Sequence, residues 1–173
     1  MSETTQPQVM TDDEAAEFAA QVFDVARNGD ADTLHKLLEK GLPANLRNQN
    51  GDTLLMLASY HGHLAAARVL LEGGADANIP NDKNQLPLAG AAFKGNLDMA
   101  QLLVSHGAEV NGAAADGRTA LMMAAMFNRT AFVTYLLEQG ADLHVRDIAG
   151  VDALGAAHAM GAQETIAQLS SLM

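Results

Sequence analysis

Six histidines and a recurring set of carboxylates are the residues of this chain that could hold a metal ion or move a proton. His61 and His63 straddle a glycine that should end a helix, whereas metal-ligating pairs sit at helical i,i+4 or turn spacings with further ligands close by. His35, His106, His144 and His158 are scattered, and nothing in their spacing brings them together. Asp76, Glu109 and Asp142 recur at one fixed interval, as turn acids do and a catalytic pair does not. The chain has no cysteine, which excludes disulfides, zinc-thiolate sites and thiol nucleophiles. It also lacks a Gly-x-Ser-x-Gly elbow, a phosphate loop and a dinucleotide fingerprint. These observations predict no enzymatic activity, no metal and no cofactor.

The interval that governs those acids governs the whole chain. Gly41, Gly74, Gly107 and Gly140 are each 33 residues apart. The same step carries Gly29, Gly62, Gly95, Asn128 and Gly161, and again Gly51, Asn84, Gly117 and Gly150. Leu55, Leu88, Leu121 and Leu154 form a fourth series, and Ala58, Ala91, Ala124 and Ala157 a fifth. A fixed period of this length is the signature of a repeat architecture.

Within one repeat the residues dictate a helical pair. Gly51-Asp52-Thr53 supplies a turn glycine and a threonine able to cap a helix, predicting a helix from about Leu54 to His61. Gly62 stops it, because glycine takes up the left-handed conformation a helix C-terminus needs. A second helix follows through Leu64, Ala67, Val69, Leu70 and Leu71, with an apolar stripe on one face, and Gly74 ends it. Asn84 and Asn128 stand where other repeats have glycine, and asparagine best tolerates the same geometry. Thr11-Asp12-Asp13-Glu14 is a capping box that should start a longer first helix. One such pair cannot bury its own apolar face, so the pairs must stack, with Ala58, Ala91, Ala92, Ala124, Ala125 and Ala157 allowing close approach.

The net charge is −11, from 10 basic and 21 acidic residues, and it repels nucleic-acid phosphates and anionic membranes. A partner is therefore expected to be basic or neutral, with no nucleic acid and no membrane bound. Residues 1–26 carry six acids (Glu3, Asp12, Asp13, Glu14, Glu17, Asp24) and no base. Acidic ends suit a soluble monomer. The run Met1–Pro7 has no basic start followed by an apolar stretch, which makes the cytoplasm the expected compartment.

Thr53-Leu54-Leu55-Met56-Leu57-Ala58, Leu86-Pro87-Leu88-Ala89-Gly90-Ala91-Ala92 and Thr119-Ala120-Leu121-Met122-Met123-Ala124-Ala125 resemble the T-P-L-H-x-A-A signature of the ankyrin-repeat family. Gly62-His63, Leu70-Leu71 with Gly74-Ala75-Asp76-Ala77-Asn78, and Leu136-Leu137 with Gly140-Ala141-Asp142 resemble the rest of its pattern. The likeness covers roughly residues 18–173. It implies an all-α ankyrin-repeat solenoid of stacked helix-turn-helix units with short hairpin-like loops. The expected divisions are a mobile tail over residues 1–10, an N-terminal capping repeat over 11–47, repeats over 48–80, 81–113 and 114–146, and a C-terminal capping repeat over 147–173. Met56, Ala89, Met122 and Gly155 replace the family's histidine, implying a less rigid array.

The resemblance further implies a concave surface built from loop tips and the exposed side of each first helix. The two positions before each helix-ending residue break the repeat: Arg27 and Asn28, Tyr60 and His61, Phe93 and Lys94, Met126 and Phe127, Ala159 and Met160. Three of the chain's seven aromatics fall there, and aromatics and methionine are enriched in interface cores. Asp52, Gln85, Arg118, Lys83 and Asp116 would form a polar rim. Phe93 and Phe127 have two readings, as anchors for a partner or as seals between adjacent repeats. The expected function is binding of a protein partner on the concave face, as an adaptor, inhibitor or immunity-like factor. The alternative is a chaperone-like stabiliser of an enzyme or toxin that uses the acidic N-terminal helix.

Overall fold

The computed structural model describes residues 9–173. Of the tail expected over residues 1–10, residues 1–8 lie outside the described residues, and Val9 and Met10 precede the first helix without regular structure. Among the described residues are ten helices in five pairs: α1 (Asp12–Asn28) with α2 (Ala31–Glu39), α3 (Leu54–Tyr60) with α4 (Leu64–Glu72), α5 (Pro87–Lys94) with α6 (Leu97–Ser105), α7 (Ala120–Met126) with α8 (Thr130–Glu138), and α9 (Ala153–Met160) with α10 (Gln163–Ser170). The first helices stack in the order α1, α3, α5, α7, α9, and the second helices lie behind them.

The helices begin and end where local chemistry requires. The capping box at Thr11 is formed in both directions, with the Glu14 amide donating to Thr11 Oγ1 at 3.2 Å and the Thr11 amide donating to Glu14 Oε2 at 2.9 Å. Thr53 accepts from the Met56 amide at 3.0 Å and Thr119 from the Met122 amide at 3.4 Å. The helix expected to reach His61 ends one residue earlier, and His61 is its C-cap. Asn84 and Asn128 both adopt φ 59°, as their alignment with the glycine series requires.

A single core runs the length of the stack through Leu34, Leu55, Leu70, Leu103, Leu121, Leu136 and Leu169, each at most 1% exposed. The six alanines expected to allow close approach are all buried. Asparagines at period 33 tie each of the first three pairs to the next: Asn45, Asn78 and Asn111 accept from the amides of Asp76, Glu109 and Asp142 at 2.7, 2.9 and 2.8 Å. The carboxylates of Asp76 and Asp142 in turn accept amides two residues on, which is the structural work those periodic acids do.

Between pairs the chain makes four hairpin-like fingers, over residues 47–53, 80–86, 113–119 and 146–152. Isolated antiparallel bridges join Arg47 to Thr53 and Ala113 to Thr119. The Asp82 amide donates to Asn50 O at 3.1 Å and the Ile148 amide to Asp116 O at 3.0 Å, so the first finger is tied to the second and the third to the fourth. Among the described residues no backbone bond of this kind joins the second finger to the third. At that seam the concave face opens.

Candidate functional site

The opening is a groove of about 320 Å³ between α3, α5 and α7 and the second and third fingers. Its walls are aromatic. Tyr60 from the end of α3, Phe93 from α5 and Phe127 from the end of α7 line it, with Met56, Leu86 and Met123. Phe93 and Phe127 meet edge to face, with centroids 4.7 Å apart and planes at 89°, a favourable aromatic geometry. Both phenylalanines are half-buried, so each seals a neighbouring pair and still presents surface to the groove. Lys83, Asn84 and Gln85 from the second finger and Asp116 and Arg118 from the third form the polar rim.

The floor is Ala89 and Gly90. One repeat earlier the same two positions hold Met56 and Leu57, and one repeat later Met122 and Met123. Gly90 lies inside α5 with no need for a left-handed backbone, and a Cβ placed on it would stand 3.6 Å from Tyr60 Cδ2. Among the three internal repeats the smallest pair of side chains thus lies at the centre of the stack, where it leaves the hollow; the last repeat carries an equally small pair, Gly155-Ala156. Leu86 stands where Thr53 and Thr119 cap their helices; it provides no side-chain cap, and Pro87 starts the helix in its place. Pro80 cannot donate a backbone hydrogen bond, and Asn81 organises this finger instead. Its Oδ1 accepts the Lys83 and Gln85 amides at 3.1 and 2.9 Å, and its Nδ2 donates to Asp52 Oδ1 and Gln85 Oε1, both at 2.8 Å.

Of the residues singled out in the sequence, Tyr60, Phe93, Phe127, Lys83, Gln85, Asp116 and Arg118 come together in this groove. Lys94 does not line it but places its ammonium 4.5 Å from the centroid of the Tyr60 ring, and the His61 ring meets the Tyr60 ring edge to face with centroids 5.6 Å apart. Met126 is half-buried against the core, and the Asp52 carboxylate braces Asn81. Arg27 pairs with Asp24 on α1, and Met160 lies exposed on α9; both are outside the groove. The stripe is therefore concentrated at its middle. Met56, Asn84, Leu86, Ala89, Gly90 and Met123 complete the lining and were not marked by sequence, because five of them sit where scaffold residues of the repeat are expected. The contrast of Ala89-Gly90 with Met56-Leu57 and Met122-Met123 is the signal that could have found them.

The histidine pair is placed by packing and by a bond between neighbouring repeats. His63 occupies the N-cap of α4 without capping it, and its Nε2 instead lies 2.8 Å from Arg27 O in the preceding pair. His61 is held below the ordinary histidine range by burial, with His63 and the charges of Arg27 and Lys94 adding to the effect. Among the described residues no group of three or more His, Asp or Glu is placed to hold a metal ion. No described helix is long and apolar enough to cross a membrane.

Five helical pairs on one period, sharing one core and presenting fingers beside a groove, define a helical repeat solenoid. The family model for ankyrin repeats, in three copies, matches residues 22–114 and 73–147, and the chain belongs to the ankyrin-repeat family. It is similar to a Pseudomonas aeruginosa protein, PA3287, named for its ankyrin repeats, with 53% identity over 66 residues. That alignment covers 38% of this chain and 39% of the relative, so the chain spans well under half the length of the protein it matches. Ankyrin repeats are in general modules that bind other proteins.

Proposed function

We propose that this chain holds a segment of a protein partner in the groove between Tyr60, Phe93 and Phe127, acting as an adaptor, inhibitor or immunity-like factor while any chemistry is left to the partner. The observation that carries the reading is the aromatic-walled hollow at the one place where the repeat loses both its side-chain bulk and its finger-to-finger bond. Aromatic side chains around a desolvated hollow are where binding energy concentrates, at about 2 kcal/mol or more for a dominant contact. The net charge of −11 favours a partner that is neutral or basic as a whole and disfavours nucleic acid.

A second reading rests on α1. Met10 and Phe18 are 51% and 41% exposed and line a shallow surface with Val9, Glu14 and Glu17, which suits an accessory role that stabilises a partner through the N-terminal helix. Affinity capture with quantitative mass spectrometry separates the two. The protein is compared with a Tyr60→Ala plus Phe93→Ala variant and with a Met10→Ser plus Phe18→Ser variant, all checked for retained helicity. Loss of a partner by about tenfold in the first variant alone supports the groove. Equal recovery of every partner by that variant overturns it, and loss in the second variant alone favours the helix.

A further inference from the structure

The groove is basic within an acidic molecule. Lys83 and Arg118 line it, Lys94 stands beside it, and Asp116 is its only acid. That acid is partly committed, since its Oδ1 accepts the Arg118 amide at 3.0 Å within the finger. Arg27, Arg47, Arg129 and Arg146 all donate side-chain hydrogen bonds to protein acceptors. The Arg118 guanidinium donates none among the described residues and touches Asp116 only at 4.0 Å. Lys83 and Lys94 make no ion pair among the described residues. A fork of donors and an ammonium are thus held at the rim of an apolar hollow, the arrangement that recognises a carboxylate next to an apolar group.

The hollow has its own selectivity. Its 320 Å³ is near the lower end of the roughly 300–1,000 Å³ of typical ligand pockets, too small for a helix and sufficient for a bulky side chain with its flanking backbone. Gly90 is required for this space rather than for the backbone, because its φ lies outside the left-handed region.

Resting on the groove reading above, we propose that the occupant is an extended segment of the partner with a bulky apolar side chain over Gly90 and a neighbouring carboxylate on Lys83 and Arg118. A locally acidic segment is compatible with a partner that is neutral or basic as a whole. At physiological salt charges are screened beyond about 8 Å, so the basic residues at the rim outweigh the distant acidic ones in setting the charge preference at the groove.

The test is selection from a random peptide library displayed on phage, against the protein and three variants: Gly90→Leu, Lys83→Glu plus Arg118→Glu, and Tyr60→Ala plus Phe93→Ala. Gly90→Ala, whose added Cβ makes only an ordinary contact, is the milder variant in case the leucine disturbs α5. The expected result is enrichment of peptides with Asp or Glu beside Leu, Ile, Met or Phe. Binding of a synthetic peptide of that sequence should fall by about tenfold in Gly90→Leu and measurably in Gly90→Ala. Charge reversal should exchange the acid for Lys or Arg beside the same apolar residue. Enriched peptides that need Tyr60 and Phe93 but show no acidic preference overturn the inference and leave the groove reading standing. Peptides that bind the Tyr60→Ala plus Phe93→Ala variant unchanged overturn both. No enrichment on the wild-type protein overturns the inference alone, since an extended segment would then not suffice.

Discussion

Gly90 is a residue at which stability and recognition oppose each other. A glycine inside a helix costs about 1 kcal/mol relative to alanine, and nothing in the backbone of α5 requires it. Gly90→Ala should therefore stabilise the protein by about 0.5–1 kcal/mol, raising its melting temperature by about 1–4 °C in a thermal unfolding scan, while weakening occupancy of the groove. An unchanged or lowered melting temperature would mean that Tyr60 cannot accommodate the added methyl. The sequence exposed Tyr60, Phe93 and Phe127 because they interrupt a periodic pattern. It concealed Gly90 because Ala89-Gly90 falls inside a stretch that resembles the family signature, where small residues are ordinary. A side chain that breaks a pattern is legible; a missing one that makes space becomes visible only when its neighbours are placed around it.

At the scale of elements, caps were the most readable feature, since each is a contract between residues three apart. Thr11 with Glu14, Thr53 and Thr119 all formed the bonds their types and positions imply. Thr119 is buried and accepts the Met122 amide, so Thr119→Ala should destabilise the protein by about 1 kcal/mol in chemical denaturation, and Thr119→Ser should recover most of it. Because repeats contact only their neighbours, the damage should be concentrated in α7 and the helices beside it, α5 and α9. Equal destabilisation by alanine and serine would indicate that the threonine methyl, not the cap, matters. α5 lacks such a cap, and its start was less legible: Leu86 looked like a signature position and proves to be part of the groove wall. The ties between pairs were not legible at all. His63 bonding to Arg27 O and Arg129 to Phe93 O depend on the distance between pairs, which no single repeat encodes.

Over the whole molecule, the period made the stack readable and left its joints unseen, because all four fingers keep similar turn residues while their mutual bonds differ. The Asp82 and Ile148 amides are bonded across fingers, and Ala115, the corresponding position of the third finger, makes no such bond among the described residues. Hydrogen–deuterium exchange read residue by residue should find the Ala115 amide exchanging faster than those of Asp82 and Ile148, and slowing when the groove is filled. Equal protection of all three in the free protein would show the seam to be closed in solution. The shared core at α5 and α7 keeps the two halves together on the inside, so an unlaced edge over a continuous spine acts as a flexure. Bending of the array should then be easiest about that edge, and a guest wedged there as proposed would set how far the two halves splay. Such a device would let occupancy of one small hollow be felt at both ends of the molecule, far from any atom the guest touches.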